Sequence, residues 1–253
     1  MGSASARLLA TALGALRVRP DGAFRPRAGD FIINWGKGTV PTWWPPQLEG
    51  QMVSAFLNHP RNVAVAANKL ATFQRLRQWG VSIPEFTTDP NVAYIQYPRA
   101  YARYSLTGHS GAGIQVLVAS QHHGQRPAPL YVKAIENDGE YRVHVVNGRV
   151  IDYIKKRRRN GERPTNEEND IRNLANGWVY TRENLRRLER IEQLAIDAVT
   201  ALGLDFGAVD IIKDPEGNVF VLEVNTACGM SETTLRLYSE AFSELIEQHA
   251  SNN

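Results

Sequence analysis

The chain has 253 residues, with 29 Lys and Arg against 26 Asp and Glu and a formal net charge of +3. That length can bury a substantial core as one large domain or as two or three modest lobes, and the mild basic excess suits nucleotides, acidic substrates or nucleic acid without selecting one. A lone cysteine, Cys228, excludes an intrachain disulfide; with the early apolar stretch Leu8 to Leu16 broken by Thr11 and Gly14 and too short to span a bilayer, a cytoplasmic chain with no membrane partner is expected.

Residues 1–62 are rich in Gly, Pro, Arg and Trp and read as a short ancillary lobe. A strand over Asp30 to Trp35 runs into Gly36 and Gly38, then into a turn containing Pro41, Pro45 and Pro46. Trp35, Trp43 and Trp44 either line a ligand groove or, more commonly for such residues, stack with prolines in a small core. From Asn62 to Trp79 the residues Val65, Leu70, Phe73, Leu76 and Trp79 recur at helical spacing, and Gly80 ends the helix before the strand-like Val81 to Pro84. The short apolar segments Ala93 to Tyr97, Ala100 to Tyr104, Ile114 to Ala119 and Leu130 to Ile135 predict a sheet with mobile loops, and residues 63–132 form a first lobe.

Residues 133–253 read as a second lobe. Alternation over Tyr141 to Val146 puts Tyr141, Val143 and Val145 on one face and Arg142 and His144 on the other; Asn147-Gly148 is a hairpin turn, and Arg149 to Ile154 is the returning strand. A charged loop follows from Arg157 to about Asn176. The five cations Lys155 to Arg159 open it, and two meanings stand: contact with phosphate or nucleic acid, or a solvated loop. A helix is expected after Thr181, capped by that hydroxyl and striped by Leu185, Leu188, Ile191, Leu194, Ala195 and Ala198. Phe206 to Ile212 and Val219 to Asn225 flank a turn at Asp214 to Asn218 and should lie antiparallel; a last helix spans about Glu232 to Gln248.

Chemistry concentrates in this second hairpin. Glu223 and Asn225 are two apart and share a strand face, and the preceding arm brings Asp210 beside them: two carboxylates and an amide oxygen, hard ligands suited to magnesium, against the plainer reading of an acidic turn on a polar sheet face. Thr107 to Gly113 can turn successive N–H groups toward phosphate, although it lacks the Gly-Lys-Ser/Thr of the common nucleotide-triphosphatase loop. Arg142 and Arg103 are either phosphate clamps or members of surface ion pairs.

The order of these pieces, from about Asn68 to Gly229, resembles the ATP-grasp superfamily, in particular its carboxylate-amine ligases of the ribosomal-protein glutamate ligase type. Phe206-Gly207-Ala208-Val209-Asp210 with Val221-Leu222-Glu223-Val224-Asn225 is the strongest part; Asn68-Lys69-Leu70, the glycine-rich loop and Glu140-Tyr141-Arg142-Val143 arrive in the matching order. The resemblance implies an α+β ATP-grasp fold in which two lobes clasp ATP. It implies nucleotide contacts at Lys69, Arg103, Gly108, Ser110, Gly111, Gly113, Lys133, Ile135 and Glu136, catalytic groups at Arg142, Asn173 and Lys156, and Mg2+, replaceable by Mn2+, on Asp210, Glu223 and Asn225. Three features depart from the family pattern: Arg103 stands where a lysine is usual, the N-terminal lobe is short, and the signature ends in Thr226-Ala227-Cys228-Gly229-Met230. Cys228 is read as an inert structural thiol rather than a nucleophile.

The implied activity is joining a carboxylate donor to an amine acceptor, such as an amino acid or peptide, through an acyl phosphate, with release of ADP and phosphate. The basic run offers a contact for an acidic protein partner. A small-molecule kinase of the same fold and a basic nucleic-acid or protein-binding module stay open as alternatives, nucleic acid being disfavoured; thiol and hydroxyl acceptors and the oligomeric state stay open too.

Overall fold

The computed structural model describes residues 3–27, 29–43, 56–107, 113–118, 126–159, 165 and 172–251. In chain order the elements are α1 (Ala4–Ala12), β1 (Ile32–Ile33), β2 (Phe56–Leu57), α2 (Pro60–Ala67), α3 (Lys69–Gln78), β3 (Phe86–Thr87), α4 (Pro90–Gln96), β4 (Arg99–Arg103), β5 (Ile114–Val118), β6 (Leu130–Lys133), β7 (Gly139–Val146), β8 (Arg149–Arg158), β9 (Trp178–Thr181), α5 (Glu189–Ala201), β10 (Phe206–Lys213), β11 (Val219–Asn225) and α6 (Glu232–Ser251). They build a five-stranded sheet ordered β11-β10-β7-β8-β9, a four-stranded sheet ordered β3-β6-β4-β5, and a small parallel β1-β2 pair. The two larger sheets pair antiparallel throughout. Among the described residues no helix is long and apolar enough to cross a membrane.

The five-stranded sheet is two-faced because its strands alternate. Tyr141, Val143 and Val145 of β7 join Val209 and Ile211 of β10 and Val221 and Val224 of β11 in a core against Ile191, Leu194, Ala195 and Ala198 of α5. The opposite face carries Glu140, Arg142 and Asp210. Gly207 is a close-approach position here: a Cβ would lie 2.9 Å from a Val224 methyl.

Five local expectations are corrected. The single helix over 62–79 is two helices, because Asn68 leaves helical geometry (φ −100°, ψ 112°) and caps α3 by accepting from Ala71 N–H; this places Lys69 in the first turn of α3. Ala93 to Tyr97 belongs to a helix, started by Pro90 with Asp89 as its cap, and the strand expected near Val81 is the short pair at Phe86–Thr87. Thr181 ends a strand instead of capping a helix; α5 begins at Glu189 with no side-chain cap. The returning strand continues to Arg158, so most of the basic run is sheet and not loop.

The N-terminal stretch shares a core with the five-stranded sheet and α6. Leu9 of α1 packs with Phe206, Tyr238 and Phe242, and Trp35 stacks on Phe206 at 5.4 Å and meets Tyr238 edge-on at 5.3 Å. Trp43 is buried, edge-on to Phe24 at 5.0 Å, while Trp44 lies outside the described residues. Asn58, at φ +63°, is fully buried; its side chain accepts from Asp205 N–H at 2.8 Å and donates to the Phe206 carbonyl at 3.0 Å. Gly36, at φ +78°, lies against the segment after β11, where a Cβ would fall 2.4 Å from the Ala227 methyl.

Candidate functional site

The two large sheets face each other across a cleft of about 1240 Å³. Asp210 of β10 is the centre of a cross-strand row on its floor: Arg142 of β7 pairs with it on one side and Glu223 of β11 on the other. A bulge makes that row. Asp210 opposes Glu223 but Ile211 opposes Val221, leaving Leu222 as the extra residue; without it, strict alternation would turn Glu223 to the core face with Val221. With it, Leu222, Glu223 and Asn225 all line the cleft while Val221 and Val224 stay in the core.

Each carboxylate in the row has a cation. Arg142 binds Asp210 bidentately, Nε to Oδ1 at 2.6 Å and Nη2 to Oδ2 at 2.7 Å, and its guanidinium lies 4.6 Å from the Tyr180 ring centre. Lys69 donates to Glu223 Oε2, and Asn225 Nδ2 donates to Glu223 Oε1 at 2.8 Å. Lys156 donates to Glu140 and, at 3.0 Å, to the Arg172 carbonyl.

Burial and pairing set the charges. Burial pushes the Glu223 carboxyl up, but Lys69, Asn225 and Arg142 together bring it down to about 2. Burial opposes the charge on Arg142, and Asp210 more than restores it, so its pKa is raised. For Glu140 burial wins over Lys156 and the carboxyl is raised. On the facing sheet burial lowers the pKa of Arg103, and its Nε is buried with no hydrogen-bond partner. Behind Arg142, burial lowers His144 to about 3 and lifts Cys228 to about 11; His144 Nδ1 lies 3.1 Å from the Tyr238 hydroxyl. A buried thiol held protonated at neutral pH fits the inert reading of Cys228.

Eleven of the sequence-derived site residues line this one cleft: Lys69, Arg103, Lys133, Ile135, Glu136, Arg142, Lys156, Asn173, Asp210, Glu223 and Asn225. Lys133 is paired with Glu85 at 2.5 Å. Gly113 stands outside the lining, its carbonyl accepting from Tyr104 N–H at 2.8 Å at the mouth of the β4–β5 connection. Gly108, Ser110 and Gly111 lie outside the described residues. Sequence reasoning missed Arg172, Tyr180 and Arg182, which also line the cleft. The apolar-aromatic run Trp178 to Tyr180 is the available signal for β9; it falls between the loop expected to end near Asn176 and the helix expected after Thr181, and received no assignment.

Two carboxylates and one amide suit an oxygen-seeking divalent cation that keeps waters and phosphate oxygens in its shell, and the Asn225 carbonyl oxygen makes no hydrogen bond among the described residues. Those residues gather no group of three or more His, Cys, Asp and Glu side chains, so the site is not a self-sufficient protein cage.

Residues 129–248 match the model of the RimK-like ATP-grasp domain. Over 193 residues the chain is 28% identical to a probable alpha-L-glutamate ligase of Pasteurella multocida (strain Pm70), covering 69% of this chain and 57% of that protein. It is 28% identical over 196 residues to a D-alanine--D-alanine ligase of Dechloromonas aromatica (strain RCB), covering 68% and 61%. The chain thus spans less than two thirds of the length of these curated relatives. Among solved structures it is similar to the ATP-grasp ligase PsnB complexed with minimal precursor, Mg and ADP (TM-score 0.58, 20% identity, 82% of this chain and 64% of that one). It is also similar to a Chryseobacterium gregarium RiPP-associated ATP-grasp ligase in complex with ADP and a leader and core peptide (TM-score 0.55, 19% identity, 80% and 66%).

Proposed function

We propose that this chain, an α+β ATP-grasp protein of the RimK-like type, is an ATP-dependent carboxylate-amine ligase. The observation that carries the reading is the row Arg142, Asp210, Glu223, with Lys69 and Asn225 attached, facing a cleft that the second sheet closes with Arg103 and Lys133. Structures of PsnB and of the Chryseobacterium ligase are complexes with ADP and peptide, the former also with Mg; here the same classes, nucleotide with magnesium and an amino-acid or peptide substrate, are assigned to this cleft.

In this reading the lobes are residues 1–62, 63–132 and 133–253. Asp210, Glu223 and Asn225 would hold Mg2+, or Mn2+ in its place, which supplies neutralisation of triphosphate charge. Lys69 and Arg142 are the cations that exchange a carboxylate partner for phosphate oxygens. Arg103 approaches the phosphates from the facing sheet, Lys133 lies on the adenine side, and Ile135 and Glu136 border the base and ribose. Asn173 and Lys156 stand at the triphosphate end beside Arg142. Arg142 stabilises the charge that grows on the transferred phosphoryl group, and the fork geometry of a guanidinium suits that task better than a point charge. The donor carboxylate attacks the γ-phosphorus and ADP leaves; the amine then attacks the carbonyl carbon of the acyl phosphate, expelling phosphate and losing a proton to give the amide.

The binding-module alternative loses its main support in the basic run. Lys156 is paired with Glu140, Arg157 with Glu183 at 2.8 Å, Arg158 with the Asn176 carbonyl, and Lys155 sits 5.5 Å from the Tyr141 ring centre. E223Q is the test: ADP release with candidate acceptors should fall by about 10²-fold or more while the circular-dichroism spectrum stays native. Near-normal ADP release would remove Glu223 from this role.

A further inference from the structure

The cleft continues past Arg142. One rung along the same face, His144 of β7 opposes Asp152 of β8, just as Arg142 opposes Ile154. Asp152 is buried, with 3% of its side chain exposed, and it meets a second guanidinium: Arg182 Nε donates to Oδ1 at 3.0 Å and Nη2 to Oδ2 at 2.5 Å. Thr234 closes the triangle, accepting from Arg182 Nη2 at 2.8 Å and donating to Asp152 Oδ2 at 2.9 Å. Nε and Nη2 are therefore committed, whereas Nη1 donates to nothing among the described residues. Arg182 keeps 37% of its side chain exposed and lines the cleft together with Ser231 and Thr234.

Full burial of the pair would cost the desolvation of both charges, and the partly exposed guanidinium stays reachable from the cleft. It is held by four hydrogen bonds, two to Asp152, one to Thr234 and a longer one of 3.4 Å to Ser231, and left open on one nitrogen, a form that suits a preorganised carboxylate receptor. The charge of Asp152 is offset by Arg182 itself, so an incoming carboxylate meets a nearly neutral pair and gains a directed N–H donor rather than a full unpaired cation. The Asp152 rung lies two residues along β7 and β8 from the Arg142 rung, about 7 Å of strand, and both arginines line the one cleft. His144 and Cys228, both buried, put no exposed charge beside Arg182.

We propose that Arg182 is a specificity-determining residue that receives, on Nη1, a non-reacting carboxylate of the amino-acid or peptide substrate, with Asp152 and Thr234 as its positioning residues. The proposal rests on the ligase reading above.

The experiment uses the full chain with Mg2+ and the non-hydrolysable analogue AMP-PNP. Calorimetry compares L-glutamate, L-alanine and L-alanyl-L-alanine with their respective α-carboxamides. At least one free acid should bind about 10- to 100-fold more tightly than its own amide, and R182Q should reduce that preference to within about threefold while leaving AMP-PNP affinity unchanged. R182K keeps a positive charge beside Asp152 and so guards against a folding defect, yet it has no second nitrogen to offer and should lose most of the preference. An acid-to-amide preference absent from the wild type across the panel, or intact in both variants, overturns the assignment. Failure of the wild type to bind AMP-PNP with magnesium overturns the ligase reading and this proposal together, which separates the two failures.

Discussion

The two walls of the cleft present their charge in opposite ways. On the five-stranded wall every acidic group of the central row is matched to a cation before any ligand arrives: Asp210 to Arg142, Glu223 to Lys69, Glu140 to Lys156. On the four-stranded wall Arg103 has a buried Nε with no partner, and Lys133 holds only the largely exposed Glu85. A wall already neutralised can be buried and rigid, because its charges are paired when desolvated. On the facing wall Arg103 keeps its Nε unused, a state that favours an arriving anion. In the proposed reaction, fixed geometry would come from the first wall and attraction from the second.

That division predicts different signatures for the loss of an arginine from each. R142K, on the matched wall, keeps the charge and loses the fork; kcat for ADP release should drop by about 10²- to 10³-fold with the nucleotide KM shifted far less. A parallel collapse of KM would erase the distinction between the walls.

His144 tests how much the matched wall depends on staying dry. Its folded pKa of about 3 lies below the ordinary 6.5 because of burial. The unfolded chain therefore takes up this proton first as pH falls, and stability is lost from pH 6.5 downward toward 3 at up to about 1.4 kcal/mol per pH unit. H144N removes that contribution, so its denaturation midpoint should fall less steeply over this window than the wild type's; parallel curves in urea titrations would show that His144 does not control it.

R103K should have the smallest effect. An ammonium replaces a guanidinium whose Nε was unused, so nucleotide KM should rise only about 2- to 5-fold and kcat stay within about twofold, measured by ADP release across an ATP series. A large fall in kcat would place Arg103 among the groups that touch the transferring phosphoryl.

Much of the matched wall was legible in the sequence. The 3.6 and 2.0 periodicities found α5, α6 and the hairpins, and the two-residue spacing of Glu223 and Asn225 put both on one face. Which face was not legible, because the Leu222 bulge that decides it leaves no periodic mark: Val221 and Val224 are three apart and both buried. The Asn68 break between two helices was hidden inside a continuous apolar pattern. Arg182 and Tyr180 were missed for another reason. β9 is four residues long and contacts the sheet only as its edge, and an edge strand with one neighbour imposes little alternation on its sequence.

The touch between Gly36 and Ala227 ties the amino-terminal stretch to the chemistry by sheer lack of room. Ala227 follows Asn225 by two positions, so a single methyl added at position 36 would press on the Ala227 methyl just beyond the amide proposed to hold metal. A spot that carries no reactive group thereby becomes as intolerant of change as the groups that do, and variation in this protein should be sparse there for mechanical reasons alone.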